Sequence, residues 1–102
     1  MIKLTILYGH PTDPVAFERY YAETHLPIAA KVEGLTRAEF SKVIGTPGGS
    51  APAFYRIAEL WFDCLANLQT VMATPAAQAA VADIANFATG GVTTLISEIA
   101  LG

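Results

Sequence analysis

At two places a helix-capping side chain stands directly before a proline and an apolar helical pattern follows, at Asp13-Pro14 and again at Thr74-Pro75. A capping residue stays extended and accepts a hydrogen bond from an early helical N–H. Proline in the first helical position gives up only an N–H that would be unpaired anyway. The two signals therefore fix where two helical segments begin, and four other stretches read as strand. Ile2, Leu4, Ile6 and Tyr8 alternate with Lys3, Thr5 and Leu7, the period of a strand. Residues 35–44 form a second, mixed strand, residues 54–62 the strongest strand signal, and residues 92–101 a fourth.

The first helix is predicted over residues 14–24, with Phe17, Tyr21 and His25 on its apolar stripe. Pro27 disfavours helical geometry at Leu26, so the helix should end or kink near His25. A short turn over residues 28–32 follows, stopped by Gly34. Asp63 is placed to cap the next helix, whose stripe is Leu65, Leu68, Val71 and Met72. From Thr74-Pro75 a fresh helix carries Ala77, Val81, Ile84 and Phe87 and ends at Gly90-Gly91.

The order βαββαβ is the split, ferredoxin-like α+β arrangement: a four-stranded antiparallel sheet with helices on one face. At 102 residues the chain makes one domain, residues 1–102. Its other sheet face stays uncovered. Hydrophobic residues make up 53% and charged residues 15%, against about 25% charged in ordinary domains. Two such faces packed together would hide the surplus, so a homodimer is expected.

Net charge is −3 with no basic run, which argues against nucleic acid as a partner. One cysteine, Cys64, excludes an internal disulfide and fits a reducing compartment. No signal peptide and no run long enough to cross a membrane is evident, so a cytoplasmic protein is expected. Phosphate loops and Ser-His-Asp order are absent, and two histidines without an acidic cluster make a metal site improbable. No cofactor is expected. The Gly- and Pro-rich stretch 45–52 is long for a hairpin loop and reads as a surface loop or a lid.

Tyr8-Gly9-His10-Pro11-Thr12-Asp13, followed by Phe17, Tyr20-Tyr21, His25 and Pro27, resembles the EthD family, as does Glu59-Leu60-Trp61-Phe62-Asp63 further on. The resemblance spans nearly the whole chain. It implies a dimeric α+β barrel. The family is named for a component of a fuel-ether degradation cluster, and relatives on the fold include cofactor-free monooxygenases, polyketide cyclases, lactone isomerases and haem-binding oxygenases. His10 departs from the plain turn residue that the family pattern implies.

His25 is the leading catalytic candidate. It follows an aromatic face at a helix end, where partial negative charge favours a cation, and histidine exchanges protons near neutral pH. It could serve as an acid or base toward an enolisable ligand, or simply cap the last carbonyls of its helix. Ligand-binding candidates are Tyr20, at a pocket mouth; Tyr55, Glu59 and Trp61, sharing one side of the third strand; and His10, should its loop fold back. Arg37, Glu39 and Glu59 equally fit cross-strand ion pairs. Cys64 begins a helix, but an inert, buried thiol is expected. Three functions remain: a cofactor-free isomerase, cyclase or monooxygenase-like enzyme acting on a small hydrophobic or aromatic ligand; a carrier of such a ligand; or a haem protein with His25 as axial ligand.

Overall fold

The computed structural model describes residues 1–101. Four strands, β1 (Ile2–Tyr8), β2 (Arg37–Lys42), β3 (Arg56–Phe62) and β4 (Val92–Glu98), form one antiparallel sheet in the order β2-β3-β1-β4. This is the ferredoxin-like order. Between β1 and β2 run α1 (Pro14–Tyr20), a π-helical turn (Tyr21–His25) and α2 (Leu26–Ala29). Between β3 and β4 run α3 (Leu65–Met72), α4 (Pro75–Asp83) and a 3-10 turn (Ile84–Asn86).

Both cap-proline signals start helices. Asp13 Oδ1 accepts from the Ala16 N–H at 3.1 Å, and Thr74 Oγ1 accepts from that of Ala77 at 3.3 Å. Asp63 does not play the same part. Cys64 occupies the cap position of α3 in extended geometry, gives no side-chain bond, and is exposed rather than buried.

Pro27 does not stop the first helix. A proline inside a helix removes one hydrogen bond and crowds the carbonyl four residues back. The chain absorbs this by widening: the Leu26 N–H bonds Tyr21 O, five residues back, and helical geometry continues into α2. Such widened turns recur at functional sites. Here the turn ends on His25.

Residues directly opposite in an antiparallel sheet share a face. Leu4 pairs with Leu60, Ile6 with Ala58 and Tyr8 with Arg56, and Leu4, Tyr8, Ala58 and Phe62 are buried beneath the helices. Two clusters make the core. Tyr8, Phe17, Tyr21, Ala58 and Phe87 form the first, and Leu4, Phe62, Leu68 and Val71 the second. Leu65 and Val81, expected on the inward stripes, are exposed. A bidentate pair, Arg56 to Glu18 at 2.6 and 2.9 Å, ties α1 to β3. That pair, ahead of the opposing effect of burial, holds the Glu18 carboxyl below its usual range.

The other sheet face carries no helix. Lys3, Trp61, Arg37, Glu59, Ile57 and Leu95 lie on it by register. Lys3 pairs with Glu59 at 3.6 Å, Arg37 pairs with Glu39, and both cations stand over the Trp61 ring.

Candidate functional site

His25 is buried, 5% exposed, at the end of the π turn. Its ring stacks on Tyr21 and lies 4.6 Å from the Phe87 ring, centroid to centroid. Nδ1 meets Asp83 Oδ2 at 2.9 Å, and Asp83, at the end of α4, is itself 8% exposed. Asp83 Oδ1 accepts from the Tyr20 hydroxyl at 2.6 Å and from the Asn86 amide at 3.0 Å. Burial pushes the Asp83 carboxyl up. The bonds from Tyr20, Asn86 and His25, with the His25 charge, outweigh burial and hold it below the ordinary value. The same bond to Asp83, with some burial, raises the Tyr20 phenol.

A carboxylate only accepts, so His25 Nδ1 carries the proton and donates it to Asp83. In the neutral ring Nε2 is then the acceptor. Tyr20 and Asn86 hold the carboxylate, the carboxylate holds the imidazole, and the ring's orientation is fixed from behind.

His25 forms one wall of a cleft of about 50 Å³ between the helix-covered sheet face and the helices. The cleft runs from Tyr8 and Ile6 on β1 past Ala58 and Leu60 on β3, with Val32, Met72, Val81 and Ile84 over it and Phe40 at its side. Apart from the His25 ring and the Tyr8 phenol, the side chains around it are apolar. A mostly apolar pocket with a few convergent polar groups is the usual form of a small-molecule site.

The other candidates from the sequence lie elsewhere. Tyr20 reaches Asp83 and borders an outer groove with Thr12, Phe17 and Asn86 rather than the cleft. His10 bonds Pro52 O through Nε2 at 2.7 Å, joining two loops. Tyr55 is separated from Glu59 and Trp61. It precedes β3, escapes the strand's alternation, and packs edge-on against Phe17 in the helix layer. Glu59 and Trp61 lie on the uncovered sheet face, across the sheet from the cleft. Of those candidates, His25 alone lines the cleft.

Sequence reasoning passed over Asp83. Its signal was present: Asp83 is the only charged residue between Asp63 and Glu98. An isolated carboxyl in so apolar a stretch needs a partner if buried, and His25 is that partner.

A family model for the EthD domain matches residues 9–91. The chain belongs to the EthD family. An uncharacterised 11.0 kDa protein from the thcB-thcC intergenic region of Rhodococcus erythropolis is 38% identical to this EthD chain over 98 residues, 96% of the chain and 94% of the relative. The crystal structure of an EthD family protein from Bacillus halodurans is 34% identical, with a TM-score of 0.88 and 97% of this chain and 98% of that one covered. A dimeric protein of unknown function with a ferredoxin-like fold, from Bacteroides fragilis, shares the fold with a TM-score of 0.69 at 16% identity, covering 96% and 95%.

The matched span of this EthD domain contains both His25 and Asp83. Among the described residues, no three His, Cys, Asp or Glu side chains gather closely enough to share a metal ion. No helix among them is long and apolar enough to cross a membrane.

Proposed function

We propose that this EthD domain takes a small, largely apolar molecule into the cleft and that His25 moves a proton on it, without a cofactor. One observation carries the reading. A buried histidine has Nδ1 committed to a buried carboxylate and stands at the wall of an otherwise apolar cleft. A base so oriented contributes about 10²–10⁴-fold to a proton transfer. Its natural chemistry is removal of a proton beside a carbonyl, the first step of an isomerisation, cyclisation or dehydration.

The cleft must widen to admit a ring, since a cavity that takes up benzene measures about 150 Å³. Met72 is unbranched and adaptable, and Phe40 and Val81 are exposed at 40% and 48%. Of these walls, Met72 on α3 and Phe40 on β2 lie off α4 and can give way while Asp83 stays in place.

Acetophenone, a small enolisable aryl ketone, serves as the probe. Methyl-proton exchange in D₂O, followed by NMR, should be faster with the protein than without. In His25→Ala the acceleration should vanish while binding persists. Undiminished exchange in that variant would show that His25 is not the base. Binding with no exchange in the wild type would make the protein a carrier.

The working form is proposed to be a homodimer closed through the uncovered sheet face. Ile57, Trp61 and Leu95 share that face by register, and Leu95 is 52% exposed. Native mass spectrometry should give the mass of two chains. Leu95→Lys, which puts a charge into the joint, should shift the distribution to single chains. A wild-type protein that flies as one chain at micromolar concentration contradicts the dimer.

A further inference from the structure

We infer that the Tyr8 hydroxyl is the second polar contact of the cleft, and that its ligand carries an acceptor oxygen, carbonyl or phenolic, at the Tyr8 end with an apolar body toward Leu60 and Met72. The inference rests on the proposed site and names the class of molecule it takes.

Three buried tyrosine hydroxyls, those of Tyr8, Tyr21 and Tyr55, have no hydrogen-bond partner among the described residues. A buried hydroxyl normally finds one, because leaving it unpaired is costly. Of the three residues, Tyr8 alone lines the cleft. It is fully buried, and its ring is held on several sides: edge-on to Phe17 at 5.8 Å and to Tyr21 at 5.8 Å, and tilted to Phe87 at 5.5 Å. A ring so confined cannot swing its hydroxyl out to water. The unmet donor is therefore built in.

Tyr8 and His25 also stand at the same end of the cleft. Both rings contact Tyr21 and Phe87. Along β3 the cleft is walled by Ala58 and Leu60, and it is apolar away from the Tyr8 and His25 end. Burial, with the Tyr21 and Asp83 charges adding to it, raises the Tyr8 phenol well above its ordinary value, so it remains a donor at any working pH. A donor at one side of a carbonyl and a base at the other suit an oxygen on which negative charge grows as a proton leaves.

The test compares two molecules of nearly the same shape, acetophenone and α-methylstyrene, in which a methylene replaces the carbonyl oxygen. Binding is read by NMR titration of the wild type, Tyr8→Phe and His25→Ala. The wild type should bind acetophenone at least tenfold more tightly than α-methylstyrene. Tyr8→Phe should abolish that preference by weakening the ketone alone, and His25→Ala should keep it. Tyr8→Phe deletes one oxygen from a packed ring, so it should fold as the wild type does, as its spectrum would show. A wild type that binds both probes alike, or a preference that survives Tyr8→Phe, overturns the inference. In either case, exchange lost in His25→Ala would still uphold the proton-transfer reading. Failure of both probes to bind overturns both.

Discussion

Gly90→Ala should lower the thermal midpoint by about 12 °C or more. The cause is a crossing of backbones. A Cβ on Gly90 would stand 2.2 Å from His10 O and 2.6 Å from its carbonyl carbon. On the other strand of the crossing, a Cβ on Gly9 would meet Gly90 O at 2.2 Å. Neither obstacle is a side chain that can turn aside. The loops are further joined by Gly9 N–H to Gly91 O at 3.0 Å and by Thr12 N–H to Thr89 Oγ1 at 3.0 Å. Overpacking against backbone of this kind costs about 3 kcal/mol or more. The shift would also reach Phe87, whose ring touches His25. Gly48→Ala is the control. A Cβ there meets nothing within 4 Å and its φ is not positive, so stability should be unchanged or slightly raised. Equal midpoints for Gly90→Ala and the wild type, by calorimetry, would remove the crossing as a constraint on the fold.

Features of this fold that depend on neighbouring residues were open to reading in the sequence. Asp13 and Thr74 each act within three residues of their own position, and both start helices as their spacing predicts. The alternation of Ile2, Leu4, Ile6 and Tyr8 groups one face of β1, and the structure turns that face, with Leu4 and Tyr8 buried, toward the helices. The βαββαβ order read from these local signals is the order the structure has. Features that depend on distant residues were not open in this way. Pairing of His25 with Asp83 spans 58 residues, and nothing in either local pattern announces the other. Helix α4 was read for its apolar stripe, which is why its one carboxylate was passed over. Counting back along residues 54–62 puts Tyr55 on the face of Glu59 and Trp61. The strand begins one residue later, and the aromatic layer draws the ring to the other side. Pro27 marks an end or a kink near His25 in the sequence, because a helix can meet a proline by breaking or by distorting, and here it widens into the π turn.

Asp83 is where stability and chemistry should separate most clearly. Asp83→Ala leaves the His25 Nδ1–H, the Tyr20 hydroxyl and the Asn86 amide without their common acceptor. Removing one member of a buried, hydrogen-bonded charge site costs about 3 kcal/mol or more, so the midpoint should fall by about 12 °C or more. Asp83→Asn keeps the shape. Its amide oxygen can still accept from Tyr20 and Asn86, but its NH₂ then faces His25. The imidazole must change tautomer to accept that bond, and Nε2 would carry the proton instead of the lone pair. The fold should survive with only part of that loss, while acetophenone exchange should drop by about 10²-fold or more. Acid adds a sign check. The folded Asp83 carboxyl lies below its ordinary value, so its contribution is complete above the unfolded value of about pH 3.9 and is lost as pH falls through the lower, folded one. The midpoint gap between wild type and Asp83→Asn should therefore be widest near neutral pH and narrow below about pH 4. Calorimetry at pH 7 and pH 3, beside the exchange assay at pH 7, distinguishes the possibilities. A gap that closes in acid together with lost exchange means that the carboxylate both holds the fold and sets the histidine's tautomer. A gap that closes while exchange persists means that Asp83 is structural, and that the base is oriented by its ring contacts with Tyr21 and Phe87 alone.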